Sequence, residues 1–139
     1  MGVAAVTSSS PVVIDSSAIV AILRDEPDAI DLLTRATSYG RRVISAATWL
    51  EAAIVCESKT PRGGNYFDQI TAKLAIEIIP FTPTQAKIAR DAFRRYGKGR
   101  QAKARLSYGD CFAYALAKQL QAPLLYKGND FAQTDLQPA

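Results

Sequence analysis

A short apolar segment that ends abruptly in an acidic residue constrains the fold of this chain most strongly. Residues 11–14 read Pro-Val-Val-Ile, Asp15 follows, and residues 17–23 continue with apolar side chains at helical spacing. A continuous apolar run of this length is typical of a strand that is buried on both faces of a sheet. The sequence therefore predicts a buried strand that passes directly into a helix.

The same alternation continues along the chain. Short apolar runs predict further strands at 42–46, 75–80 and 123–126. Helices are predicted over 28–37, from Thr48 to Lys59, over 65–74, from Thr82 through the basic residues that follow, and over 107–120, with a loop at 60–64. Short apolar strands that alternate with helices predict an α/β fold, in which helices cover both faces of a mainly parallel sheet. A chain of 139 residues suits one such domain.

The absence of histidine from the sequence removes whole classes of chemistry. A nucleophile activated by histidine, a histidine general base and a histidine-ligated zinc site are all excluded. Cys56 and Cys111 stand far apart without a CxxC pair, which indicates reduced, buried thiols rather than a disulfide framework or a zinc ribbon. Acid-base or metal chemistry must therefore use carboxylates, lysines, hydroxyls or bound water.

The sequence also predicts where the protein resides. It contains no apolar segment of the roughly 18 residues that a membrane span needs. Residues 1–10 lack the basic start and the apolar length of a signal peptide and are interpreted as a flexible leader. We expect a cytoplasmic protein without a membrane segment, with one domain at 11–136 and a short tail at 137–139.

The positive charge is concentrated in one part of the chain. Seventeen Lys and Arg against 13 Asp and Glu give a net charge of +4. Eight of the basic residues, opposed only by Asp91, lie between Lys87 and Arg105, and the nine basic and twelve acidic residues elsewhere give a net charge of −3. This basic strip, residues 87–105, is typical of a surface that binds RNA or DNA, although a solvated helix face explains the charge equally well.

Four acidic residues are predicted at one edge of the sheet. Asp15 follows the first strand, Glu51 and Asp110 lie in the first turns of helices, and Asp130 follows the last strand. In a parallel α/β sheet, the carboxyl ends of the strands form the binding site. Carboxylates gathered there repel one another unless a cation joins them, and an all-oxygen donor set favours Mg²⁺ or Mn²⁺.

Each acid also has a structural interpretation. Glu51 and Asp110 each lie three residues after a threonine or a serine, the spacing of a capping box at a helix start. Asp15 alone is explained by a simple N-cap, and Asp130 by a turn after Gly-Asn. Taken singly, these structural roles are favoured, whereas the convergence of the four residues at one edge favours a functional site.

Four segments resemble the acidic motifs of PIN-domain ribonucleases, specifically the VapC toxins of bacterial toxin–antitoxin pairs. They are VVIDSSA at 12–18, WLEA at 49–52, YGDCFAYALA at 108–117 and LLYKGNDFAQTD at 124–135. Their order and spacing agree over residues 11–136, and the last two segments are the most specific. The leader at residues 1–10 departs from a family that begins close to its first motif.

The resemblance implies a three-layer α/β/α fold and an Mg²⁺- or Mn²⁺-dependent endoribonuclease that forms a homodimer and is inhibited by a VapB-type antitoxin. On the matching positions, Asp15 and Asp110 are the expected direct metal ligands, and Glu51 and Asp130 complete the catalytic pocket. The residues expected to support this pocket are Ser16, Ser17 and Asn129. Those expected to contact the RNA backbone are Lys98, Arg100, Lys103 and Arg105. Helix capping explains the two serines equally well.

In the implied reaction, a water molecule whose pKa the cation lowers attacks phosphorus and leaves a 5′-phosphate and a 3′-hydroxyl. Two other functional classes were considered. A non-catalytic nucleic-acid or antitoxin-binding module would keep the basic strip without needing the carboxylates. A phosphatase or phosphoacceptor would use Asp15 as nucleophile, but the second aspartate that a haloacid-dehalogenase-type phosphatase has two positions later is a serine, Ser17. The four acids together favour the ribonuclease.

Overall fold

The computed structural model describes residues 10–59, 61–100 and 103–139. Within these ranges the elements follow in the order β1 (Pro11–Ile14), α1 (Ser16–Leu23), α2 (Ala29–Thr37), β2 (Arg41–Ser45), α3 (Ala46–Lys59), α4 (Gly63–Lys73), β3 (Ile76–Ile79), α5 (Pro83–Tyr96), α6 (Tyr108–Leu120) and β4 (Leu124–Leu125). The predicted alternation of strands and helices is confirmed. No helix within the described ranges is long and apolar enough to cross a membrane.

The strands form one sheet in the order β3-β2-β1-β4, and every pairing in it is parallel. Val13 at the centre of β1 pairs with Val43 on one side and with Leu124 on the other. Because all strands run in the same direction, their carboxyl ends meet at one edge. The residues that follow β1, β2 and β4 are therefore brought to the same end of the domain.

Helices cover both faces of the sheet. Val13, Val43 and Leu124 pack with α5 and α6 in one buried cluster. Val12 and Leu125, which alternate with them, pack with α1 to α4 in a second cluster. The strands read as continuous apolar runs because each face is buried under a helical layer, and the three-layer α/β/α architecture is confirmed.

Two helix starts differ from the prediction. Helix α3 begins at Ala46, directly after β2, so Thr48 lies within its first turn. The capping-box interpretation of Thr48 and Glu51 is therefore wrong, because an N-cap residue precedes its helix. Alanine is the strongest helix former, and two alanines directly after β2 favour the earlier start. Helix α4 begins at Gly63 within the predicted loop, of which residue 60 lies outside the described ranges.

Helix α5 begins where the sequence predicts it. Thr82 Oγ1 accepts a hydrogen bond from the backbone N–H of Gln85 at 3.2 Å, as expected for an N-cap. The buried side chain of Gln85 donates to Pro80 O at 3.3 Å and to Gln119 Oε1 at 2.9 Å. Gln85 thus ties α5 to the C-terminal end of α6, far along that helix from Asp110.

The residues at 137–139, set apart in the sequence as a tail, pair with β4. The backbone N–H of Leu124 donates to Gln137 O, and that of Ala139 donates to Leu124 O, both at 2.9 Å. Asp135 fixes the preceding turn, since its carboxylate accepts a hydrogen bond from the buried Tyr114 hydroxyl at 2.6 Å and pairs with Lys118. At the other end of the domain, the predicted leader falls almost wholly outside the described residues.

Candidate active site

The carboxyl edge of the sheet brings together side chains from four parts of the chain. Asp15 lies directly after β1, and Glu51 projects from α3, which follows β2 without an intervening residue. Asp110 lies in the first turn of α6, and Asp130 follows β4. The charge of Glu51 acts on Asp15, and the charges of Asp15 and Asp130 act on Asp110. We call this set of four residues the carboxylate pocket.

Asp15 is the most deeply buried member of the pocket, with 2% of its surface exposed. As the N-cap of α1, it accepts hydrogen bonds at Oδ2 from the backbone N–H of Ser17 at 3.0 Å and from Ser17 Oγ at 2.6 Å. Its other oxygen, Oδ1, is buried and has no hydrogen-bond partner within the described residues. Burial raises the carboxyl pKa to about 6, the Ser17 bonds oppose the rise, and the charge of Glu51 adds to it.

Ser17 also links Asp15 to the loop that carries Asp130. Its hydroxyl oxygen accepts a hydrogen bond from the backbone N–H of Lys127 at 2.9 Å. The Lys127 ammonium forms ion pairs with Glu26 and Asp28 in the connection between α1 and α2. The loop after β4 is thus held by Ser17 on one side and by Glu26 and Asp28 on the other. The Lys127–Glu26 ion pair joins residues about 100 positions apart, so no local sequence pattern predicts it.

Asp110 combines a structural and a chemical position. Its N–H donates to Ser107 Oγ at 3.3 Å, and its Oδ2 accepts from the N–H of Ser107 at 2.9 Å, so the predicted capping box is present. Burial raises the pKa of the Asp110 carboxyl to about 7; the Ser107 bond lowers it, and the charge of Asp15 and the interaction with Asp130 raise it further. The capping interpretation of Asp110 is therefore confirmed, and the same carboxyl lies close enough to Asp15 and Asp130 for their charges to act on it.

Glu51 reaches the same site from an exposed position on α3. A Cβ atom at Gly109 would overlap Glu51 Oε2, so the glutamate carboxylate lies directly against the first turn of α6. Glycine at this position lets the two helices bring Glu51 beside Asp110. The sequence pattern, a lone glycine in front of an aspartate, does not reveal this contact.

The predicted supporting residues differ in what they contact. Ser17 contacts Asp15 directly, as described above, and the backbone N–H of Ser16 helps to lower the pKa of that carboxyl. Asn129 contributes its carbonyl to the turn, accepting from the N–H of Ala132 at 3.2 Å. Within the described residues, neither Ser16 nor Asn129 shows a side-chain contact with the pocket.

Sequence reasoning missed two buried hydroxyls at this edge. Ser45 ends β2 and Thr48 lies in the first turn of α3, and both residues are fully buried. Neither hydroxyl has a hydrogen-bond partner within the described residues. The signal in the sequence was the polar residue at the end of an apolar strand, the position that had already singled out Asp15.

The donor set suits a hard cation that keeps part of its water shell. No three carboxylate or thiol side chains of the described residues are arranged as a ready-made metal cage. Mg²⁺ is commonly held by only one or two carboxylates together with water and substrate oxygens. Asp15, with one unpartnered buried oxygen, and the neighbouring Asp110 meet that requirement.

The basic strip runs along α5 and through the connection to α6. Gly97 and Leu106 pair across the base of this connection, and Gly99 adopts a left-handed conformation with φ of 89°. The loop ends at Ser107, so its basic residues directly precede the start of α6. Four predicted RNA-contact residues are exposed and form no ion pair among the described residues: Lys98, Arg100, Lys103 and Arg105.

Known proteins resemble this chain over almost its full length. The family model described as PIN domain matches residues 12–136. A ribonuclease VapC of Mycolicibacterium smegmatis is 48% identical over 125 residues, covering 89% of this chain and 96% of the relative. Ribonuclease VapC30 of Mycobacterium tuberculosis is 45% identical over 125 residues, covering 89% and 95%, respectively.

Solved structures share the fold at lower identity. VapC20 of Mycobacterium tuberculosis, described as a sarcin-ricin loop cleaving toxin, gives a TM-score of 0.70 at 12% identity over 92% of this chain and 98% of its own. VapBC2 of Rickettsia felis, bound to a DNA fragment from its promoter, gives 0.69 at 16% identity over 93% and 97%. A toxin–antitoxin complex from Klebsiella pneumoniae gives 0.66 at 16% identity over 89% and 92%.

Replacing Gly109 by alanine tests the contact with Glu51. The added methyl group displaces the Glu51 carboxylate, whereas alanine is the better residue within a helix. We expect Gly109→Ala to retain its free energy of unfolding and to bind Mn²⁺ about tenfold more weakly in calorimetry. In a Glu51→Gln background the same substitution should have little further effect; an equal loss in both backgrounds contradicts the contact.

The raised carboxyl pKa values predict how stability depends on pH. In metal-free protein, Asp15 and Asp110 stay protonated up to about pH 6 and 7, whereas in the unfolded chain they ionise near 4. The folded state binds more protons in this window, so the free energy of unfolding falls as pH rises. The rise in the Asp15 pKa alone accounts for about 3 kcal/mol of this fall in the free energy of unfolding. Urea unfolding in chelator should show this slope, and Asp15→Asn should reduce it; an unchanged slope in the variant contradicts the assignment.

Proposed function

The chain belongs to the PIN-domain family, among the VapC ribonucleases, and on this premise we propose that its carboxylate pocket cleaves RNA with the help of Mg²⁺ or Mn²⁺. The protein is an endoribonuclease, a hydrolase of phosphodiester bonds, and the toxin of a toxin–antitoxin pair. The observation that supports the assignment to this pocket is Asp15: one of its carboxylate oxygens is held by Ser17, and the other is buried and has no partner in the part of the chain that the structure describes.

Each acid has a distinct role in this proposal. Asp15 and Asp110 would hold the cation, which supplies charge neutralisation at the scissile phosphate and lowers the pKa of the attacking water. Ser17 orients Asp15, and the N–H of Ser107 orients Asp110. Because its pKa is about 7, the Asp110 carboxyl in metal-free protein exchanges its proton near neutral pH. Glu51 and Asp130 add negative charge on either side of this pair.

The alternative of a non-catalytic binding module has less support. Such a module has no need to gather four carboxylates, and their mutual repulsion and burial cost stability. In this chain the four acids come from separate elements, and two of them have pKa values raised to about 6 and 7. Retaining charges at this cost is reasonable where they bind a cation.

We propose that the exposed basic residues at positions 98, 100, 103 and 105 hold the RNA backbone beside the pocket. The pocket itself repels polyanions until a cation is bound, so attraction has to come from adjacent positive charge. The loop between α5 and α6 carries that charge and ends at the helix that presents Asp110. Its direct connection to the first turn of α6, where Asp110 lies, favours this role over that of a solvated face.

The partner of this toxin is an antitoxin, which we propose is of the VapB type and acts in the cytoplasm.

We also propose that the protein forms a homodimer. Leu50 and Ile54 of α3 and Tyr108 of α6 are 54%, 55% and 80% exposed, and together they form an apolar surface beside Glu51. Burial of such a surface stabilises an interface. Light scattering should give twice the chain mass of 15.0 kDa; a monomer that persists at high concentration contradicts the dimer.

Neutralising the proposed ligands tests the reaction. Asp15→Asn and Asp110→Asn should each lower Mg²⁺-dependent cleavage of structured RNA by at least about 100-fold, because each removes a direct ligand. Asp68→Asn on the exposed face of α4 is the matched control and should cleave normally. Cleavage that persists in both pocket variants, or in excess chelator, contradicts the mechanism. Hydrolysis of a phosphomonoester by the wild type that both variants lose indicates a phosphatase instead.

Charge reversal in the basic strip tests RNA binding separately from chemistry. A Lys98→Glu, Arg100→Glu variant should raise the KM for RNA by about tenfold or more, flatten its dependence on salt, and change kcat less. Lys73→Glu, at the exposed end of α4, is the matched control. If KM and its salt dependence match those of the control, these residues belong to a solvated face.

A further inference from the structure

Buried polar atoms without hydrogen-bond partners concentrate at one place in this protein. Among the described residues there are four such side-chain atoms, and three of them lie at the carboxyl edge of the sheet: Asp15 Oδ1, Ser45 Oγ and Thr48 Oγ1. The fourth, Gln85 Oε1, lies near the C-terminal end of α6. Proteins satisfy nearly all buried polar groups, so such a cluster needs a physical explanation.

The register of β1 and β2 places the first two residues at corresponding positions. Val13 of β1 pairs with Val43 of β2. Two residues further on, Asp15 and Ser45 occupy corresponding positions on the face that α6 covers, because side chains alternate along a strand. Thr48 follows in the first turn of α3, three residues before Glu51 and therefore on the same side of that helix. The two hydroxyls thus lie in the segment that joins the end of β2 to Glu51.

Leaving these hydroxyls unpaired costs stability. An unsatisfied buried polar group costs roughly 1–3 kcal/mol, whereas alanine or valine at the same positions carries no such penalty. Ser17 already satisfies Asp15 Oδ2, whereas Asp15 Oδ1 and the two hydroxyls have unused hydrogen-bonding capacity within the described residues. A ligand with hydrogen-bond donors, such as a hydrated cation, supplies what they lack.

We propose that Ser45 and Thr48 are positioning residues of the cation site. In the loaded protein, their hydroxyls hydrogen-bond with the unpartnered side of Asp15 and the water shell of the cation. This inference rests on the proposed metal dependence and adds two residues from β2 and α3. Partners of metal-ligating carboxylates orient the ligand, and their loss typically weakens metal binding 10–100-fold.

The experiment compares metal affinity with metal-free stability. We expect a Ser45→Ala, Thr48→Val variant to unfold in chelator at the same or a higher urea concentration than the wild type, because an unsatisfied hydroxyl has been removed at each site. Its dissociation constant for Mn²⁺ by calorimetry should rise 10–100-fold. The single variant Thr48→Ser, which keeps both hydroxyls, should bind Mn²⁺ with most of the wild-type affinity.

Gln85→Met is the control for Mn²⁺ affinity only. It removes the fourth unpartnered atom, away from the carboxylate pocket, together with the two hydrogen bonds that the Gln85 amide donates, so its stability should fall while its Mn²⁺ affinity equals that of the wild type. Unchanged Mn²⁺ affinity in the Ser45→Ala, Thr48→Val variant, beside normal binding by the wild type, overturns the inference and leaves the metal-dependent mechanism intact. A wild-type protein that fails to bind Mn²⁺ contradicts the mechanism itself and this inference with it.

Discussion

Repulsion among four carboxylates at one edge of a sheet is the constraint on which the rest of the structure depends. The parallel sheet creates this crowding, because it directs the residues after β1, β2 and β4 to one end. Local donors then hold the two acids with raised pKa values: Ser17 binds one oxygen of Asp15, and Ser107 binds Asp110. The donors oppose the rise in pKa without cancelling it. Among the described residues no basic side chain forms an ion pair with these acids, so their charge is compatible with the cation site proposed above.

Capping and a role in a functional site are often treated as competing explanations for an acid at a helix start, but the geometry of Asp110 is compatible with both. A capping box fixes one carboxylate oxygen on the backbone N–H of Ser107. That bond sets the direction of the side chain and leaves its remaining bonding capacity for a ligand. At the start of α1, Asp15 is likewise both an N-cap and a buried charge. The helix terminus supplies rigidity that a flexible acidic side chain lacks.

Much of this arrangement could be predicted from the sequence because it follows from local pattern. Apolar runs that end in a polar residue identified the strands, the parallel sheet and the edge that Asp15 occupies. Contacts between distant segments could not be predicted in this way. The ion pairs of Lys127 with Glu26, the contact of Gly109 with Glu51 and the burial of Ser45 depend on how helices pack after the sheet has formed. The start of α3 was misplaced because Thr48 resembles a cap, whereas the preceding alanines already continue the helix.

The pairing of residues 137–139 with β4 has a consequence for how the protein behaves at high concentration. Strand β4 is the outermost strand on its side of the sheet, and an uncovered outer strand is a template for pairing with another chain. The backbone groups of Leu124 are instead occupied by Gln137 and Ala139. Residues 137–139 thus occupy the hydrogen-bonding groups of β4 through which another chain could add a strand and cause aggregation. Removing them would leave the backbone N–H and carbonyl groups of Leu124 unpaired on the outer side of β4, and the expected effect is a loss of solubility.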